Sequence, residues 1–310
     1  MINHISVKKS LIFLLFINLS LQAQDLVLKQ FLQNPLSLGP QMGANVQDQI
    51  NVGSHLWGIE NDRTLYQNYF IGFNKELIKL KNQSLAIQPM VSTDRAGESK
   101  FGTKSFGLGL SAGFLVHKSE KLTHHLGAGI QLAYAVRSID ESDLRWPIQI
   151  GPGGFDPSKP GLTVSDFSFL DLTAGANYKL EWNAQELMVG YRLGHATRPR
   201  ISFASATGSY RLDYSHTVYV ISKIKLIEKI GIRPKALYYQ TGSQNTWNAG
   251  LDLAVPIGKG ITMFAGGGKM KNGLFLNGGM ELGKWQWLIM RERYDGDLYN
   301  GWEFGLNYRI

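Results

Sequence analysis

The sequence predicts an all-β protein, an antiparallel outer-membrane β-barrel of about 14 strands with a non-strand N-terminal segment. Three observations carry this. From Gln49 onward the apolar residues recur with a period of two rather than 3.6. Up to about residue 240 the segments joining the alternating runs are long at one parity and short at the other; beyond it every connection is short. The run from Asn300 to Ile310 puts Trp302, Phe304, Leu306, Tyr308 and Ile310 on one face and Glu303, Gly305, Asn307 and Arg309 on the other, as a closing strand between lipid and a wet lumen would.

At the N-terminus, Lys8 and Lys9 precede the apolar run Leu11 to Leu19, and Leu21-Gln22-Ala23 offers a cleavage site. That pattern predicts a signal peptide over residues 1–23, cleaved near Ala23, because the run is too short for a spanning helix. Residues 24–48 carry Asn34-Pro35 and Gly39-Pro40, which are turn signals, so this stretch is expected at the periplasmic mouth or folded into the lumen as a plug. Residues 49–310 are then the transmembrane barrel.

Candidate strands fall at 49–57, 65–79, 83–93, 103–117, 122–137, 167–181, 185–195, 210–225, 229–240, 246–255, 261–270, 273–282, 285–294 and 300–310. Their alternation is plain in places. Leu126, Ala128, Ile130, Leu132, Tyr134 and Val136 oppose Gly127, Gly129, Gln131 and Arg137. The odd-numbered connections Gly58–Thr64, Asp94–Gly102, Ser138–Asp166 and Ala196–Ser209 are long, while the even-numbered ones are tight turns. Outer-membrane barrels have long extracellular loops and short periplasmic turns, so both mature termini are expected on the periplasmic side. A soluble two-sheet sandwich requires no such parity.

Composition narrows the function classes. No Cys among 310 residues excludes a disulfide framework and thiolate metal sites. The net charge of +8 is scattered, with no dense basic run and no recognition helix, which argues against nucleic acid and for anionic lipid or an acidic partner. Lys79, Lys81, Lys118, Lys121, Lys229, Lys259 and Lys284 cluster in or beside the short turns, so the parity predicts a basic periplasmic ring. Adjacent His124 and His125 point to opposite faces and cannot share a metal; Ser215-His216 fails as a nucleophile–base pair for the same reason. The spacing of Gly107, Gly109 and Gly113 fits no phosphate loop. The expectation is therefore no enzyme, no catalytic residue, no cofactor and no metal. Lys179, Arg137 and Arg309 on lumen faces leave open a rival reading, an anion-preferring diffusion channel.

The loops carry the binding candidates. Residues 151–161 hold Pro152, Pro157 and Pro160 with four glycines around Phe155 and Asp156, a composition suited to a shaped, low-entropy loop. In the next long connection Arg198 and Arg200 flank Pro199 just after His195. Partner-binding candidates are accordingly Phe155, Asp156, Pro157, His195, Arg198 and Arg200, with Asn34 and Pro35 in the leading segment.

Four blocks in order resemble the PorP/SprF family of type IX secretion system outer-membrane proteins. Gln30-Phe31-Leu32-Gln33-Asn34-Pro35-Leu36 is similar to its Q-F-x-x-N-P opening, and Gly154-Phe155-Asp156-Pro157-Ser158-Lys159-Pro160 to its G-F-D-P-x-x-P loop. Phe169 to Gly175 resembles the F-D-x-x-x-G strand that follows, and Val189 to His195 with Pro199 to Phe203 resembles a strand and loop of the form G-x-x-x-x-H-x-x-x-P-x-x-S-F. Where the family opening continues with a second N-P and A-G, this chain has Gly39-Pro40 and Gly43-Ala44. The resemblance implies a non-enzymatic barrel serving export or surface anchoring of proteins with a C-terminal sorting domain, in some members a gliding adhesin. Its implied partners are outer-membrane lipid, the exported protein and periplasmic components of the secretion machinery.

Overall fold

A computed structural model describes residues 39–45, 48–60, 63–97, 100–140, 149–151, 154–156, 166–183, 185–201, 211–227, 230–295 and 300–310. The signal-peptide expectation, and Asn34, Pro35 and Pro157, lie outside the described residues.

The strands are β1 (Gln49–Glu60), β2 (Arg63–Lys79), β3 (Gln83–Ala96), β4 (Phe101–Lys118), β5 (Leu122–Ser138), β6 (Ile150–Gly151), β7 (Gly154–Phe155), β8 (Asp166–Trp182), β9 (Gln185–Gly194), β10 (Ser215–Ile227), β11 (Ile230–Thr241), β12 (Gln244–Gly258), β13 (Ile261–Met270), β14 (Gly273–Leu282), β15 (Trp285–Tyr294) and β16 (Asn300–Arg309). All but β6 and β7 join one closed barrel of antiparallel neighbours, and those two form a small separate ladder in the fifth connection. Closure leaves no sheet edge, so backbone donors and acceptors in the apolar zone pair along the wall. The expected closing contact is present: β16 lies between β15 and β1, with Val52 opposite Leu306 and Leu56 opposite Trp302.

Alternation sorts the side chains. Ile71, Phe106, Leu110, Ile130, Leu170, Leu251, Leu276, Ile289 and Phe304 are exposed on the outer wall. Asn51, His55, Asn68, Asn177, Lys235, Asp252, Glu292 and Glu303 are buried on the inner one. An apolar exterior around a polar interior is the inverse of a soluble protein and suits a wall solvated by lipid. Among the described residues no helix is long and apolar enough to cross a membrane.

Several strand boundaries differ from the sequence reading, and two of the differences have a visible cause. The first connection is shorter than Gly58–Thr64, because Gly58 adopts φ 71° inside β1 and bends the strand without ending it. The strand expected from 210 begins at Ser215, because Arg211 makes only an isolated bridge, to Arg200. The long fifth and seventh connections emerge at one end of the barrel, the loop end. The tight turns, with exposed Lys79, Lys81, Lys118, Lys121, Lys259 and Lys284, lie at the opposite, turn end. Lys229 is outside the described residues.

At the turn end Asp48 ties the seam. Its carbonyl accepts the Ile310 N–H at 2.9 Å, its Oδ1 accepts the Glu76 N–H at 2.7 Å, and its Oδ2 pairs with Lys75. The Glu76 amide first, then Lys75, holds the Asp48 carboxyl below its ordinary value of 3.8. A depressed folded value contributes stability above that ordinary value and loses it as pH falls through the folded one. The pair is partly exposed and solvent-screened, so the contribution is about 0.5 kcal/mol. Asp48→Asn is expected to lower the urea midpoint slightly at pH 7, with the deficit shrinking as pH falls below 3.8 towards 2. A deficit persisting undiminished at pH 2 contradicts the assignment.

Candidate functional site

The lumen is the first part of the site. Residues Pro40–Asn45 form a short 3-10 helix inside the barrel. Of the leading segment, expected at the periplasmic mouth or as a plug, these residues lie inside the barrel against β2 to β5 and β8. Gln41 and Met42 are fully buried. Asn177 donates its Nδ2 to the Gln41 carbonyl at 3.2 Å, and Gln41 Nε2 donates to the Tyr219 hydroxyl at 3.3 Å. That hydroxyl donates in turn to Met42 Sδ at 2.9 Å. Met42 also packs with Met188, Tyr219, Leu237 and Tyr239, so the plug bridges from β5 and β8 across to β11.

Two glycines permit this seat. A Cβ on Gly129 would stand 2.6 Å from the Pro40 carbonyl carbon and 2.7 Å from the Gln41 nitrogen, both backbone atoms. A Cβ on Gly175 would stand 2.1 Å from Gln41 Oε1. Glycine here serves close approach of one backbone to another.

The remaining lumen is lined by paired charges. Lys179 Nζ lies 2.6 Å from Glu181 and 3.5 Å from Glu186. Arg137 donates to Thr103 Oγ1 at 3.3 Å and stacks against Phe101 and Phe169. These two cations, expected to line an anion path, are held by neighbours. Lys235 lies within 3.0 Å of both Asp252 oxygens, and Arg233 Nη1 is 2.8 Å from Glu281.

The loop end is the second part. His195, with φ 55°, leaves β9 in the left-handed region and places Nδ1 2.8 Å from Asp171 Oδ2 on β8. The Ala196 N–H donates to the Leu172 carbonyl at 2.8 Å, which closes the connection down onto β8. Asp171 and His195 belong to two separately noted sequence blocks, and the fold brings them into one clasp. Arg198 is partly exposed and held by its neighbours: Nε reaches the Leu212 carbonyl, Nη2 the Asp213 carboxylate at 3.3 Å, and the guanidinium lies over the Tyr214 ring. Arg211 donates to the Arg198 carbonyl at 3.1 Å. Arg200 is exposed beside exposed Arg211 across their bridge, so the outward cationic pair is Arg200 and Arg211. Sequence reading missed Arg211 because it fell inside an expected strand.

In the fifth connection the Asp156 N–H donates to the Gln149 carbonyl at 2.8 Å, which closes the β6–β7 ladder. Phe155 contributes backbone to that ladder. The structure brings Asp171, His195 and Arg198 into one surface.

A family model described as type IX secretion system membrane protein PorP/SprF matches residues 20–288. No curated protein matches the chain. Among solved structures the chain is similar to the Ralstonia pickettii toluene transporter TbuX, at 10% identity and a TM-score of 0.49, covering 90% of this chain and 93% of that one. It is also similar to a Pseudomonas aeruginosa FadL homologue, at 10% identity and a TM-score of 0.48, covering 84% and 90%.

Proposed function

Because the chain belongs to the PorP/SprF family of type IX secretion system membrane proteins, we propose that it is an outer-membrane component supporting export or surface anchoring of proteins with a C-terminal sorting domain, in the manner of a gliding-adhesin partner. The loop end faces the cell exterior and the turn end, with its lysines, the periplasm. The barrel acts by recognition and performs no chemistry, so it is not an enzyme. Arg200 and Arg211, on the base clasped by His195 and Asp171, meet the exported protein, and the turn lysines meet periplasmic machinery.

The observation that carries this reading is the plug. Gln41 and Met42 are fully buried inside the barrel and bonded to β8 and β10, which favours a scaffold over an open pipe. The diffusion-channel alternative draws less support, since Lys179 and Arg137 are engaged by their neighbours. Affinity capture of the intact protein from solubilised membranes is expected to recover secretion components together with an exported protein bearing the sorting domain. Arg200→Glu with Arg211→Glu should reduce recovery of the exported protein about tenfold while sparing the periplasmic partners. Capture that yields neither class of partner overturns the reading.

A further inference from the structure

Three metal-ligating side chains converge on the inner wall at the barrel seam, outside the plug and the loop surface. His55 is on β1, Glu303 directly opposite it on β16, and Glu292 on β15. All three are buried, each at most 2% exposed. His55 Nε2 lies 3.3 Å from Glu292 Oε2 and 3.6 Å from Glu303 Oε1, and the three ligand atoms lie within 4.8 Å of one another.

We propose that His55, Glu292 and Glu303 bind a divalent first-row transition-metal cation that staples the barrel seam. The spacing fits. Tetrahedral zinc with bonds of about 2.0–2.1 Å places neighbouring ligand atoms about 3.3–3.4 Å apart. One imidazole nitrogen with two carboxylate oxygens suits such a cation, and it leaves further coordination positions for neutral donors. A second observation points the same way. Asn68 pairs with His55 across the β1–β2 ladder and is 2% exposed. Its Nδ2 donates toward β3, to the Thr93 carbonyl at 3.3 Å, and its Oδ1 is buried with no hydrogen-bond partner. A planar amide whose nitrogen faces β3 turns its oxygen to the other side, toward β1 and His55, as a neutral oxygen donor. Around the cluster, the Tyr294 hydroxyl donates to Glu292 Oε2 at 2.7 Å, the type of outer contact that orients a ligating carboxylate. The ligands come from β1, β15 and β16, with the candidate fourth donor on β2, so one ion ties strands from both ends of the barrel sequence.

The test uses the full-length protein in detergent, stripped with EDTA and titrated with ZnCl2. One equivalent should bind at micromolar or tighter affinity and raise the unfolding temperature. Glu292→Gln and Glu303→Gln should each weaken that equivalent at least about tenfold. His117 and His124, whose rings lie 5.6 Å apart on another part of the wall, provide the control: His117→Gln with His124→Gln should leave it unchanged. The proposal is overturned if the wild type binds no equivalent, if the glutamine variants keep it, or if the control loses it. X-ray absorption on the zinc-loaded wild type decides even if a variant fails to fold. One imidazole with oxygen neighbours supports the site; two imidazoles, or none, overturns it.

Discussion

A Gly129→Leu barrel reconstituted in a planar bilayer is expected to pass ions in long openings, while the wild type stays closed at the same voltage. A leucine Cβ would stand 2.6 Å from the Pro40 carbonyl carbon and 2.7 Å from the Pro40 oxygen and the Gln41 nitrogen. Because those atoms are backbone, no rotamer change relieves the clash, and the plug has to leave its seat. With it go the Asn177–Gln41, Gln41–Tyr219 and Tyr219–Met42 contacts and the burial of Met42, which together contribute about 2–4 kcal/mol. The wall itself pairs strand to strand and has no need of the plug to close. A variant that folds, judged by its heat-modifiable mobility on gels, and yet remains silent would show that the plug does not seal the lumen.

The second large effect is expected at Lys235. Its ammonium lies 2.9 and 3.0 Å from the two Asp252 oxygens and 3.3 Å from Asn277 Oδ1, with both charged side chains at most 5% exposed. Lys235→Met leaves the buried Asp252 carboxylate without its ammonium partner, though it still accepts from the Asn277 amide at 2.9 Å. Removing one partner of a buried pair costs about 3–5 kcal/mol, whereas replacing both by apolar groups is often close to neutral. Urea unfolding in lipid vesicles should therefore place Lys235→Met well below the wild type and the double variant Lys235→Met, Asp252→Leu near it. Equal losses in the single and double variants would mean that packing, and not the unpaired charge, sets the cost.

The strands were readable because alternation is a local signal. The bounds expected for 261–270, 273–282 and 285–294 coincide with β13, β14 and β15, where Lys271-Asn272 and Gly283-Lys284 mark two-residue turns. Reading failed where a local cue was overruled by its neighbours. Gly58 suggests a turn, but β2 continues to pair with β1 beyond it. Tyr210 to Tyr214 alternate like a strand, but there Arg198 folds back onto Leu212 and Asp213. The candidate site was less legible. Which arginine faces outward depends on how the seventh connection turns back on itself, and the Asp171–His195 clasp joins residues whose own sequence blocks give no sign of contact. The seam cluster was invisible for a plainer reason: His55 and Glu303 meet only once the register of β1 against β16 is known.

That register also governs the order of events during assembly. The strands β2 to β15 can find their partners as hairpins or, between β5 and β8, across a loop, but β1 must wait for β16. Until then each of the two strands, paired on one side only, exposes an edge of unpaired backbone groups, and such edges invite association with other chains. Joining the two ends of so long a chain is also the entropically slowest contact to make. Closure is thus an all-or-nothing commitment: a chain stalled before β16 keeps two open edges, and one carried past it has sealed its own hazard.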